Sequence, residues 1–560
     1  MDTKNVIAAI SLSAAVIVLY TLFFQPDPTT IKKNSAEQEK IENNADTPSL
    51  DKNENFTKIS RTDALKENDR IEFENGSVIG SISLKGAAID DLTFKEYNVK
   101  LNGSNKITLL SPRNFEDGYL IESGFIQRNE QMKEIDLPDA STVWKVSGNK
   151  KLTNNNPVKL TWSNSQNITF EKHISLDDQF LFTVREKIIN KSDKSYNFYS
   201  YGQIIRNKLP EISGFYILHE GFLSVLDDEL IEEDYDDIQE KEFSQKAREG
   251  FVAISDKFWV TSVIPPKGKS FTLKFDYKNK FRASYVSEVI KVNPKSYFEE
   301  EIQIIVAAKR VNVIDGYAEN LDINKFDLAI DWGFMYFITK PLFYVLDYFF
   351  KLLGNYGLAI IAVTVCIRLA FFPLANFSFK SMGKMKLLAP EMARLKELHK
   401  DDKMKLQQAM MALYKKEKVN PMSGCLPILV QIPVFFALYK VLFVTIEMRH
   451  MPFYGWIHDL SDRDPTSLFN VFGLLPWDPP SFLLIGAWPI IMGITMFIQQ
   501  KLNPTPPDPI QAKIFMFFPV FLTVILAPFP AGLVIYWSFN NIFTMIQQYI
   551  VQRKMTVKTT

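Results

Sequence analysis

Apolar positions follow two different rhythms along this chain. From about 61 to 320 they alternate with polar ones. Ile168, Phe170, Lys172 and Ile174 are set against Thr169, Glu171 and His173, and Phe271, Leu273, Phe275 and Tyr277 against Thr272, Lys274 and Asp276. A period of two places alternate side chains on opposite faces of a strand and predicts half-buried sheet. The turn signals Asn75-Gly76, Asn154-Asn155-Asn156-Pro157 and Lys267-Gly268 punctuate these runs. Residues 61–325 are therefore expected to form one large, all-β, antiparallel sandwich.

The second rhythm is a set of long apolar runs at Val6–Phe24, Gly357–Ala375, Cys425–Ile446, Phe482–Gln500, Ile514–Ala527 and Leu533–Ile550. A bilayer core needs about 20 such residues per helix, so the runs predict an α-helical polytopic membrane bundle of six spans. The first lacks a small-x-small cleavage site and reads as an uncleaved anchor over 1–25. Residues 26–60 are too polar to bury a core and read as a flexible tether. Residues 331–352 interleave aromatic rings with Lys340, Asp347 and Lys351, and Pro341 is expected to break the middle. That mixture suits the headgroup layer and predicts an interfacial helix rather than a seventh span. The second span follows at 357–375, spans three to six fill 423–552, and 553–560 is a short tail.

Between spans two and three, 376–422 reads as a helical hairpin. Leu388, Met392, Leu395 and Leu398 share one face of a helix over Ser378–His399, Asp401 or Asp402 supplies a cap, and Leu406, Met410 and Leu413 align on the second helix. The two faces can zip together.

Charge fixes the orientation of these elements. Lys and Arg total 64, balanced by 64 Asp and Glu, and a mean hydropathy of -0.06 averages a polar half with an apolar one. No bulk charge excess points to nucleic acid. Segment 380–418 is strongly basic, 447–481 has only Arg449 and Arg463 as basic residues, and Lys501, Lys513, Arg553, Lys554 and Lys558 follow the later runs. The positive-inside rule puts the basic segments, and both termini, in the cytoplasm and the sandwich outside. Cys366 and Cys425 fall in or beside apolar runs and read as small buried hydrophobes, not a disulfide framework. No phosphate-binding loop, zinc-protease motif or nucleophile elbow occurs. His450, His458, Asp459, Asp462 and Asp464 cluster without metal-site spacing and read as a solvated loop. No enzyme and no cofactor is expected.

Arg368 is the sharpest chemical signal. It lies about seven residues, or roughly 10 Å, inside the second span. A cation there is costly unless it faces protein or water. The other spans carry no deep carboxylate to pair with it, so a hydrated cavity is expected, lined by Thr364, Gln431, Gln499, Gln500, Tyr536, Ser538, Asn540 and Asn541. Such a groove can receive the hydrophilic part of a client chain. The bland reading, amides and hydroxyls joining helices, stands level with it for Gln431 and Asn541. Hairpin methionines, among them Met392, Met404, Met410 and Met411, suit contact with varied apolar clients, although seam packing explains most of them. The basic face, with Lys403 and Lys405, can attract ribosomal RNA or anionic lipid. A transporter or channel with a charged cavity is the alternative, but it predicts paired charges and repeated halves, which the sequence lacks. A membrane-anchored carbohydrate module is a further rival.

Longer motifs narrow the choice. MMALYKKEKVNPMSGCLPILVQIPVFFALYKVL over Met410–Leu442, WIHDLS over Trp456–Ser461, MFIQQK over Met496–Lys501 and GLVIYWSFNN over Gly532–Asn541 resemble the YidC insertases, as does GNYGLAIIAVTVCIRLAFFPL over Gly354–Leu374. The resemblance implies a membrane protein insertase and chaperone of a bacterial inner membrane. It implies a five-helix core with a groove open to cytoplasm and lipid, Arg368 as its charged residue, and Thr364, Gln500, Tyr536 and Trp537 lining it. It further implies a periplasmic β-supersandwich related in fold to epimerases, cooperation with the Sec translocon, and contact of the hairpin with ribosomes or targeting factors.

Overall fold

The computed structural model describes residues 59–556, apart from 128–134, 213–217, 401, 418, 420–425, 478, 481–482 and 504–508. The anchor expected over 1–25, nearly all of the tether, Cys425 and the end of the tail lie outside the described residues.

Alternation becomes sheet where it was expected. Strand Ile168–Leu176 buries Ile168, Phe170, Lys172 and Ile174 on one face, and strand Phe271–Tyr277 buries Phe271, Leu273 and Phe275. The pattern fails at the end of the second strand. Asp276 is buried and Tyr277 exposed, because Asp276 pairs with Arg282 at 2.5 Å on the neighbouring strand. The strands form an eleven-stranded and a nine-stranded sheet. Strand Tyr196–Arg206 lies between Tyr119–Ile126 and Phe281–Ser287 in the first. Strand Ser296–Ala308 lies between Leu181–Asn190 and Trp259–Ile264 in the second. Among the described residues pairing is antiparallel except where Arg70–Glu74 meets Lys151–Leu152. Phe73, Phe94, Phe170, Phe182, Phe198 and Phe222 are buried. Each contributes roughly 1.5–3 kcal/mol by leaving water. Two short helices, α1 (Arg61–Lys66) and α2 (Tyr235–Glu240), flank the sheets.

The chain leaves the sandwich through α3 (Val311–Asn320) and enters α4 (Tyr336–Leu353). Helix α4 starts after Gly333, whose φ of +71° keeps the preceding residues out of the helix. It runs through Pro341 rather than breaking there. The ring removes one intrahelical hydrogen bond, and the helix continues beyond it. Polar contacts hold the two halves of the molecule together. Lys340 pairs with Asp315 at 3.0 Å and Asp327 at 2.7 Å. Lys440 pairs with Asp331 at 2.7 Å. Arg449 Nη2 donates to Asn98 O at 2.7 Å.

The remaining helices are α5 (Tyr356–Ala370), α6 (Phe372–Leu387), α7 (Ala389–Leu398), α8 (Lys403–Lys416), α9 (Leu426–Val444), α10 (Ala487–Leu502), α11 (Pro509–Leu526) and α12 (Ala531–Thr556). Helix α12 is the hub and packs on α10, α5, α6 and α9. Gly354, with φ +67°, ends α4, and Asn355 caps α5 by accepting from Leu358 N. Gly357 allows a close approach, since a Cβ there would lie 2.0 Å from Phe453.

Two helices expected to be continuous are broken. The apolar run Gly357–Ala375 divides at Phe371, and α5 and α6 meet at 69°. The helix expected over Ser378–His399 divides at Leu388. Pro373 and Pro390 are the second residue of the following helix in each case, where a missing N–H is tolerated, whereas inside one continuous helix each ring would clash with the carbonyl four residues earlier. Among the described residues no single helix is long and apolar enough to cross a membrane. The bent pair α5–α6 meets that test by length and composition.

Candidate functional site

Arg368 stands near the end of α5, one turn before the bend, and reaches across to α12. Its Nε donates to Asn540 Oδ1 at 2.9 Å and its Nη2 to the same oxygen at 2.5 Å. Longer contacts of 3.4 Å join Nη2 to Asn540 O and to Gln431 Oε1. Gln431 in turn donates to Tyr536 Oη. Three helices thus supply one chain of hydrogen bonds: α5 gives Arg368, α9 gives Gln431, and α12 gives Tyr536 and Asn540. The partners on Arg368 are neutral oxygens, so the guanidinium charge is solvated but not cancelled. A small open cleft adjoins it, lined by Ile367, Arg368, Phe371, Leu374, Gln431 and Val434. A cation and an amide on otherwise apolar walls can hydrate, or hydrogen-bond, a polar segment held beside lipid.

The other groove candidates sit elsewhere. Thr364 is buried and its hydroxyl bonds back to Ile360 O at 2.6 Å. Asn541 points to α10 and donates to Thr495 Oγ1 at 3.1 Å. Gln500 donates to Phe515 O, between α10 and α11. Trp537 packs edge-on against Phe435 with centroids 4.7 Å apart. Ser538 bonds back to Val534 O at 2.8 Å.

Gln547 escaped the sequence reading. It donates to Arg368 O at 3.3 Å, while Gln548 donates to Leu502 O at 3.2 Å and Asn503 Oδ1 at 3.1 Å. A signal for both was present. Asn540-Asn541 and Gln547-Gln548 are seven residues apart, so each pair repeats nearly the same two faces of α12. Asn540 and Gln547 serve the Arg368 side, and Asn541 and Gln548 the α10 side.

In the hairpin, Asp402 caps α8 through Lys405 N at 3.0 Å and pairs with Lys405 Nζ at 3.4 Å. Leu388, Met392 and Leu395 are half-buried, as are Leu406 and Leu413, with Met410 buried. Tyr414 Oη lies 3.9 Å from Met392 Sδ. The seam excludes Leu398, which is 71% exposed because α7 ends there. Met404 and Met411 are exposed, and Lys403 opens α8. The loop cluster proves structural at Asp464, whose oxygens accept from Trp456 Nε1 at 3.1 Å, Thr466 Oγ1 at 2.6 Å and Trp488 N at 2.9 Å.

Comparison with known proteins covers both halves of the chain. The model of the YidC periplasmic domain matches residues 70–345, and that of the 60Kd inner membrane protein matches 348–558. The membrane protein insertase YidC of Pelagibacter ubique is 89% identical over 561 residues, covering 100% of both chains. That of Brucella suis is 45% identical over 591 residues, covering 100% of this chain and 96% of its own. A solved structure described as an active YidC insertase with the first transmembrane domain resolved aligns at 16% identity and a TM-score of 0.36, covering 87% of this chain and 92% of that one. With near-identity to one relative from end to end, and family models accounting for both the sandwich and the helices, this chain belongs to the YidC family of membrane protein insertases.

Proposed function

We propose that the chain inserts membrane proteins into the bacterial inner membrane, and helps them fold, by receiving each client's polar flank at Arg368. The observation that carries this reading is a guanidinium held among apolar helices by oxygens that, among the described residues, are all neutral, beside an open cleft. Transfer of an apolar client segment into lipid is favourable by roughly 25 cal/mol per Å² buried. The barrier lies in the polar flank, which must cross hydrocarbon. A hydrated site part-way across shortens that path, and it needs neither a nucleotide nor a cofactor.

Six spans, with a five-helix core of α5 and α9 to α12, fit the reading. Those helices have 15, 19, 16, 18 and 26 residues. At 1.5 Å per residue the shorter ones fall below a bilayer core of about 30 Å, so lipid around the groove is expected to thin. Termini and hairpin are cytoplasmic and the sandwich periplasmic, on the charge argument above. Thr364, Gln500, Trp537 and Asn541 serve the groove as its supporting frame. Exposed Met404 and Met411, with Lys403 and Lys405 nearby, suit contact with clients, ribosomes or targeting factors, and the Sec translocon is a partner on the family resemblance.

The test is purified full-length protein in liposomes with a short single-span client, scored by protease protection of the client's polar tail. Protection should rise above empty liposomes and fall for Arg368→Ala, while the variant keeps the thermal stability of the parent. Undiminished protection in that variant removes Arg368 from the mechanism.

A further inference from the structure

The loop between α9 and α10 has a chemistry that neither the groove nor the sandwich uses. Residues 465–477 contain no ionisable side chain. Leu468, Phe469, Phe472, Leu474, Leu475 and Trp477 are all exposed, Leu474 by 81%. An apolar tip of this kind is unusual for a water-facing turn, which favours small and polar residues.

The backbone of the loop is closed on itself. Phe472 N donates to Ser467 O at 2.7 Å and Leu475 N to Asn470 O at 3.0 Å. Gly473 N donates to Asn470 Oδ1 at 3.0 Å, and the Trp477 indole N–H to Phe469 O at 3.2 Å. Val471 and Phe472 both take left-handed conformations, with φ of +52° and +56°. Glycine adopts that conformation most easily, yet two large apolar residues occupy it here. Its base is rigid. Ser467 Oγ donates to Leu483 O at 3.0 Å, and buried Asp464 ties Trp456 and Thr466 to the first turn of α10.

A backbone bonded largely within the loop, no charge and exposed Leu, Phe and Trp together suit entry into the headgroup–acyl boundary. Asp464 and Ser467 tie the base of the loop to the start of α10, which sets it at the outer end of a helix read as a span. We propose that the 465–477 loop dips into the outer leaflet of the bilayer, with Leu474 at its tip among the lipid chains. The inference rests on the reading of α9 to α12 as spans.

The experiment uses full-length protein carrying Cys366→Ser and Cys425→Ser in phosphatidylcholine liposomes. A single cysteine is introduced as Leu474→Cys, Arg463→Cys or Val520→Cys and labelled with an environment-sensitive fluorophore. Val520, on the exposed flank of α11, reports the spans, and exposed Arg463 reports water. The expected result is strong quenching by doxyl-labelled lipid at 474 and 520, with iodide quenching at 474 several-fold weaker than at 463. Iodide quenching at 474 equal to that at 463 overturns the proposal. Shielding of 474 from both quenchers also overturns it, since protein then covers the loop. Failure of doxyl lipid to quench at 520 overturns the span reading and the loop inference with it. Quenching at 520 but not at 474 sinks the loop inference alone.

Discussion

Lys172 shows how a single residue can obey a pattern and still surprise. It occupies the apolar phase of its strand, between Phe170 and Ile174, and is buried with them. The charge is kept by Glu186 at 2.9 Å and by Ser123 O at 2.5 Å. Removing one partner of such a pair leaves the other charge uncompensated in the core, at about 3–5 kcal/mol. Lys172→Ala should therefore lower the unfolding temperature of the sandwich sharply in a thermal melt. A change too small to detect would mean that water reaches Glu186. The same accounting separates Arg368 from Lys172. Arg368 is half-buried, is held by neutral oxygens and opens to a cleft, which suits a group that must still interact with something else.

At the scale of elements, caps and prolines decide where helices begin. Helix α10 has Gly486 at its N-cap and so no side chain of its own there. Asp464, distant in sequence, supplies the acceptor for Trp488 N at 2.9 Å. A Cβ on Gly486 would come within 2.4 Å of that carboxylate, which explains glycine at this place. Asp464→Ala should cost about 1–2 kcal/mol, as for loss of a helix cap, read as a lower melting temperature of the detergent-solubilised protein. If the melt is unchanged, the loop base is held by other contacts. The bend between α5 and α6 has a comparably local cause, Pro373, and it places Arg368 one turn from the kink.

For the whole molecule, the joint between sandwich and helices carries a titratable contact. Glu447, just beyond α9, accepts from Val311 N at 2.8 Å and so caps α3, whose own N-cap residue Arg310 makes no side-chain cap bond. Burial pushes its carboxyl up from an ordinary 4.5 to about 7, against the opposing pull of the Val311 N–H. The folded state therefore binds this proton more tightly than the unfolded chain does. Stability from this group is full at low pH, declines as pH rises from about 4.5 through about 7, and then levels off, a change on the order of 3 kcal/mol. Glu447→Gln should flatten the pH dependence of the melting temperature over that window. A parallel pH profile in the variant would show that Glu447 is solvated.

The sequence by itself determined the two regimes of the chain, the faces of its strands, the positions of most helices and the lone cation at 368. These follow from periodicity, charge and helix signals, which act within a few residues of each other. Tertiary structure decided which polar groups meet. Thr364 lies one turn from Arg368 yet bonds to its own backbone, whereas Asn540, 172 residues away, holds the guanidinium. Likewise Asn541 turns to α10 while its neighbour Asn540 faces Arg368, because adjacent residues on a helix point about 100° apart and only packing fixes which helix each one meets.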